Sequence, residues 1–405
     1  MANTTLTADI IAKEALAILD NNLVMAKQVF RGYENEFEKK INGYEVGDTI
    51  SIRRPTDYTV RDGAVMAVQD AVEGKTTIVV DKRKGVDFKF SSQDLTLKIG
   101  DLSERIIKPA MVQFANQIDR DLMGLYKYVP NWVGTAGQTI NSYADFALGP
   151  QRLDEYAVSP DGRSAVLSPA DHWGLLGSQT ALYIQDAAKG AYRQGSLGKI
   201  GGVDTYMSQN VPTHLVGSDV TTVTVNQSIV TGTTTYAAVK DSMQQTITIA
   251  GGTLNPGDVF TIADVNAVNP VSKADLGFLK QFTVISYSAN TLVMYPAMIW
   301  TGAFQNVAVT AGVTDLNTKA MVFVGTAATN YRQNMMFTEK AFALVSVPLV
   351  SPPGAVDVSR QSYKGTSVRV IPVYDGVNDE SAWRLDVLYG VKAIDPRLAL
   401  RISGT

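Results

Sequence analysis

Between Ala12 and Phe30 apolar residues return every three or four positions (Ala12, Leu16, Leu19, Leu23, Ala26, Phe30), behind a cap residue at Thr7. This predicts a helix with one narrow apolar stripe. The stripe has two readings: packing on its own domain, or docking on another subunit or partner. From Glu45 to Ile99 the period falls to two, and "DTISIRR", "KTTIVVD" and "GVDFKFS" read as strands. "DKRKG", residues 81–85, reads as a tight turn joining the second and third. About twenty residues, "PTDYTVRDGAVMAVQDAVEG", separate the first two, longer than an ordinary connection. A long β-arm reaching out from the body fits that length.

Ile107, Met111, Phe114, Ile118, Leu122 and Leu125 restore the helical period, with Pro109 either kinking that helix or marking its start. A helix over Tyr143–Tyr156, a strand "SAVLS", and a helix opened by Ser168, Pro169 and Asp171 complete an α+β block. From Leu215 to residue 330 the texture changes. Only ten side chains there are charged, and threonine fills about one position in six. "TVTVNQSIV", "QTITIAG", "DVFTIADV", "QFTVISY" and "NTLVMYP" are short sequential strands, the pattern of an antiparallel barrel or sandwich. The α+β pattern then resumes with "NMMFTEKAFALVSVPL" and "TSVRVIPVYDG", so the β block is read as an insertion into a discontinuous host. In "AWRLDVLYGVKAIDPRLALRISGT" two more runs alternate, one through Trp383, Leu385, Val387 and Tyr389, the other through Leu398, Leu400 and Ile402. These strands need partners far upstream.

The chain has 405 residues, 45% of them apolar and 19% charged, enough for a large core and two or three domains. Its net charge of -3, with 36 basic and 39 acidic residues and no long run of either sign, argues against a tight nucleic-acid binder. Without cysteine there is no disulfide, thiolate zinc site or cysteine nucleophile. Asp9, Lys13 and Glu14 interrupt what a signal peptide would need, and the apolar run from Ala341 is too short for a bilayer. The expectation is a soluble protein that stays where it is made.

Candidate chemistry is sparse. His172 beside Asp171 sits at a helix start, where an aspartate caps more often than it orients a base, and His214 has no ligand-spaced neighbour. "EGKTT" at Glu73 lacks the first glycine of a phosphate loop and feeds a strand. "GSLGKIGG" precedes a strand, the reverse of dinucleotide order, and reads as a flexible loop. No catalytic, cofactor or metal residue is assigned. The basic residues Arg53, Arg54, Lys82, Arg83 and Lys84 fall on or near the arm, as either a solvated edge or a contact with a neighbouring subunit.

The order of parts, with "NPGDVFTIADVNAVNPVSKADLGFLKQFTVI", "GTSVRVIPVYD" and "WRLDVLYGVKAIDPRLALRI", resembles the major capsid proteins of tailed double-stranded DNA phages. Within them it is similar to the P22-type coat proteins, a Hong Kong 97-type fold with an inserted β-barrel. The resemblance implies an α+β fold. Residues 1–40 would form an N-terminal helical arm and 41–100 an extended β-arm. Residues 101–130 would supply the spine helix and the peripheral domain, completed by 381–405. An axial domain would use 131–214 and 331–380, with the barrel at 215–330. The implied role is structural: rings of five and six copies in an icosahedral shell around DNA that the wall touches weakly and without sequence preference. A scaffolding protein and a portal are implied partners, with no membrane, no cofactor, assembly in the host cytoplasm and a final place in the virion. The alternative with the same fold is an encapsulin-type compartment that encloses an enzyme cargo. A rival of another class, a hydrolase with a carbohydrate-binding insertion, suffers from the shortage of histidine and convergent carboxylates.

Overall fold

The computed structural model describes residues 8–33, 40–41, 44–45, 49–61, 63–66, 68–91, 107–179, 197–352, 358–363, 366–378 and 380–405. The chain divides into two compact units. One takes residues 1–51, 77–122 and 342–392, and the other 52–76, 123–341 and 393–405.

In the first unit the long strand Glu380–Ala393 organises a five-stranded sheet. Its residues from Glu380 to Asp386 pair with Thr366–Asp375, and those from Glu380 to Tyr389 pair antiparallel with Lys82–Ser91. Leu385, Val387 and Tyr389, alternate residues of that strand, are buried, as the period of two requires. The helix Ala8–Asn22 packs against the strands Ser359–Tyr363 and Thr366–Asp375, burying Ile11, Ala12, Ala15, Leu16 and Leu19. Of its two readings, the structure supports packing on its own unit. The helix Lys108–Met123 carries Pro109 in its first turn, where a proline costs no backbone hydrogen bond. Its buried Asp119 accepts hydrogen bonds from the backbone N–H groups of Val24 (2.8 Å) and Ala26 (2.9 Å).

"DKRKG" is not a turn. Lys82, Arg83 and Lys84 open the strand Lys82–Ser91, opposite Tyr389, Leu388 and Val387. Gly85 has another purpose: a Cβ there would lie 2.9 Å from Asp386 Oδ1, so glycine leaves room for a carboxylate across the ladder.

The second unit contains two large sheets. The first is mixed and six-stranded. Ala399–Ile402 runs parallel to Trp132–Val133 and antiparallel to Asn334–Thr338, which continues into Arg163–Leu167 and Val203–Met207. Helices Tyr143–Glu155 and Pro169–Gln179 belong to the same unit, and Phe146, Leu153, Leu175, Met336, Leu400 and Ile402 share one core. Within the glycine-rich loop, Lys199–Ile200 pairs with Val203–Met207 through a turn at Gly201 and Gly202, both at positive φ. The resemblance assigns both final strands, within 381–405, to one domain, yet they stand in different sheets. Glu380–Ala393 stands in the first unit. Ala399–Ile402 stands in the second, because the chain turns at Asp395 and Pro396 and every residue of the final strand is buried on both faces.

The second sheet of this unit is antiparallel and holds Gln245–Ala250, Val259–Val268, Asp275–Ser288 and Thr291–Tyr295 among its strands. Met321–Phe323 pairs with the 259–268 strand, and Thr224 bridges to Ala320, so the sheet closes on itself as a small barrel. Phe260 fills it, with ring centroids 5.7 Å from Phe282 and 5.3 Å from Phe323. The chain enters and leaves through two paired strands, Thr213–Leu215 against Asn330–Arg332. This neck sets the two connection points side by side.

Candidate functional site: arm, basic strand and barrel seat

Of the five basic residues singled out in the sequence, Arg53 and Arg54 lie at the base of the arm. Arg53 is 83% exposed at its side chain and pairs with Glu73 at 3.2 Å, while the Arg54 N–H donates to the Gly74 carbonyl. Beyond them the segment to residue 70 displays Tyr58, Val60, Val65, Met66 and Val68, each 59 to 97% exposed. It is braced from within. Gln69 Oε1 accepts from the N–H and hydroxyl of Thr59 (both 2.9 Å), Gln69 Nε2 donates to the Thr59 carbonyl, and Arg61 donates to the carbonyls of Gly63 and Val65. So shaped, the segment keeps a contiguous run of apolar side chains in water, which scattered single exposures do not.

The other three are strand residues with different surroundings. Lys82 lies 3.5 Å from Asp121, and Arg83 donates to Asp386 at 3.1 Å. Both are engaged with carboxylates of their own chain, while Lys84 meets no carboxylate among the described residues. Asp386 collects three guanidinium groups, from Arg83, Arg369 and Arg384. Burial alone would push its carboxyl up; the hydrogen bonds from Arg369, Arg384 and Arg83 outweigh that and hold it below the usual carboxylate range.

Sequence reasoning found no partner for His214, because its partners lie 88 and 44 residues away. Its Nδ1 lies 3.1 Å from the Tyr126 hydroxyl and its Nε2 2.8 Å from Asp258 Oδ1. Asp258 also accepts from the N–H groups of Gly217 and Asn255, so the relay is spent on joining the neck to the barrel. Gly257, next in line, has φ +106°, and a Cβ there would meet the His214 ring at 3.1 Å. Asp171, beside His172, accepts from the Ile140 N–H (2.9 Å), from Ser168 Oγ (2.5 Å) and from Asn334 Nδ2 (2.9 Å). It serves as cap and joint, as the helix-start reading expected. Among the described residues no group of His, Asp and Glu is arranged to hold a metal ion, and no helix is long and apolar enough to cross a membrane.

The barrel is seated on the host by two alternate positions of its longest strand, Gln281 and Thr283, and by Arg401. Gln281 both accepts from the Trp132 N–H (2.7 Å) and donates to the Trp132 carbonyl (2.9 Å), and the Thr283 hydroxyl donates to the Lys127 carbonyl. Arg401, fully buried, donates to the Gly257 carbonyl (2.7 Å), to Gln333 Oε1 and to Thr283 Oγ1, with its guanidinium over the Tyr126 and Trp132 rings. Burial pulls its pKa down to about 9. None of this is visible as a motif; the one signal was an arginine at an otherwise apolar strand position.

The profile of the family described as "P22 coat protein - gene protein 5" matches residues 1–404. This chain belongs to the P22 coat protein family. Its function is that of a major capsid protein of a tailed phage, a shell subunit and not an enzyme. A curated relative, the "Major capsid protein" of Acyrthosiphon pisum secondary endosymbiont phage 1, is 21% identical over 429 residues, covering 98% of this chain and 97% of the relative. Among solved structures, one of Mycobacterium phage Che8 is 14% identical over 95% of this chain and 92% of that chain, with a TM-score of 0.49. The CUS-3 coat protein I-domain is 27% identical over 26% of this chain and 96% of that chain, with a TM-score of 0.20. For a coat protein the functional surfaces are those it offers to copies of itself, so the arm and its charged base are the candidate site.

Proposed function

We propose that copies of this chain close into an icosahedral shell of five- and six-membered rings around double-stranded DNA, through a Hong Kong 97-type fold. In this reading 1–40 is the N-terminal arm, 41–100 the extended β-arm, and Lys108–Met123 the spine helix. The strand Glu380–Ala393 completes the peripheral domain. Of the segments 131–214 and 331–380 expected to form the axial domain, 131–214 and 331–341 share the second unit with Ala399–Ile402 while 342–380 falls in the first unit, and 215–330 is the inserted barrel. The observation that carries the reading is the internally braced arm with its row of exposed apolar side chains, a surface whose exposure to water is unfavourable until a second copy covers it. Arg53 on the arm and Lys84 on the basic strand are the charges best placed to meet that copy. A scaffolding protein and a portal are the partners of assembly in the host cytoplasm, and the net charge of -3 suits a wall past which DNA slides.

With its scaffolding protein the purified chain should sediment as closed particles, visible in negative stain and containing nucleic acid when recovered from infected cells. A species that stays monomeric at high concentration, or shells filled with an enzyme, would refute the proposal. Arg53→Glu with Lys84→Glu should leave the subunit folded and make shells dissociate at lower denaturant, with a salt-dependent difference. One exposed contact contributes only about 0–1 kcal/mol, but it repeats in every copy.

A further inference from the structure

Within the second unit a cavity of about 220 Å³ lies between the barrel and the segments around Tyr156 and Asp395. Its wall is mainly apolar, with Tyr156, Val158, Met243, Val268 and Phe304, yet Lys280 opens into it. Lys280 is 6% exposed and shares a strand face with Phe278 and Phe282, a position where an apolar residue would be ordinary. Its ammonium stands 4.5 Å from the centroid of the Tyr156 ring and meets no carboxylate among the described residues. The other cations of the wall are already committed. Arg397 is held by Asp395 through Nε (2.8 Å) and Nη2 (2.7 Å), and Lys273 donates to the carbonyls of Pro270 and Ala303. Asp57 is exposed. The charges acting on Lys280 are those of Arg397 and Arg152, both positive, and with burial they pull its pKa down to about 7.

Asp395 is taken up by Arg397 and Asp57 is exposed, so neither carboxylate of the wall pairs with this buried ammonium, which lacks an anion of its own. We propose that this cavity binds a small monoanion with an apolar body, a short-chain or aromatic monocarboxylate, whose carboxylate pairs with Lys280. A single uncommitted cation suits one negative charge, and the apolar wall suits a carbon body better than a hydrated dianion. The size agrees: an apolar cavity of about 150 Å³ already holds benzene. The inference goes beyond the shell reading and does not rest on it, because the site is complete within one chain.

The test uses the unassembled full chain and benzoate as probe, at constant ionic strength, with titration calorimetry and thermal unfolding. Benzoate should bind saturably at one site per chain and raise the melting temperature with concentration. Benzamide, its uncharged isostere, and inorganic phosphate should bind at least tenfold more weakly. Lys280→Met, which keeps the stem and removes the charge, should lose benzoate binding at least tenfold while melting no lower than the parent. A measurement on the parent alone guards against a variant that fails to fold: benzoate stays ionised from pH 6 to pH 9, so its affinity should fall at least tenfold as Lys280 gives up its proton. No saturable binding, tighter binding of phosphate or benzamide, equal affinity for Lys280→Met, or equal affinity at the two pH values would overturn the proposal.

Discussion

Asp386 shows how one side chain can determine the geometry of several strands. It sits opposite Arg369 on one neighbouring strand and Gly85 on the other, and draws Arg83 and Arg384 to the same carboxylate. Arg369 is buried, so removing the charge by Asp386→Asn strands a guanidinium and should cost roughly 3–5 kcal/mol in urea unfolding at pH 7. The pH dependence follows from the direction of the shift. The folded carboxyl is held below its ordinary value, so its contribution is present above the unfolded pKa of about 3.9 and is lost as pH falls through the folded one. Parent and variant should therefore converge in stability below about pH 4. A gap that stays constant into strong acid would mean that the carboxylate charge is not what holds the three strands.

The barrel is the element most open to reading from sequence, because each of its strands pairs with near neighbours and its alternation survives intact. Excised as residues 213–332, with the neck strands that pair at its ends, it should fold alone and give a dispersed amide NMR spectrum with one cooperative thermal transition. Phe260→Ala, which empties the centre of its core, should lower its stability by roughly 3–5 kcal/mol. A collapsed spectrum from the excised segment would show that it depends on its host. The helices at Tyr143 and Pro169 were equally legible, the second announced by a serine cap at Ser168 that the structure bears out, while the cap of the first, Ser142, emerges only from the structure. What the local pattern could not carry was pairing at a distance. Gly85 looks like a turn glycine until Asp386, some 300 residues on, is seen to need its missing Cβ. The alternation after Pro396 says strand, but nothing in it says which sheet. The basic residues were legible as a group and not as contacts, since Asp121 and Asp386 lie far from Lys82 and Arg83 in sequence.

At the scale of the whole chain, the second unit depends on a small number of contacts that tie the barrel to its seat. The neck contributes three residue pairs, Gln281 and Thr283 grip the backbone of the seat, and Arg401 reaches across from the final strand to Gly257 and Thr283. The seat has a consequence for inheritance. A barrel surface that touches only solvent is free to drift, whereas Arg401, Thr283 and Gln333 form one mutually dependent set in which a single replacement orphans a buried donor or acceptor. Across aligned relatives these three positions should therefore change together or not at all, while strand residues such as Thr246 and Thr248, exposed on the barrel's outer face, vary independently. Descent would then have preserved the joint more faithfully than either of the parts it joins.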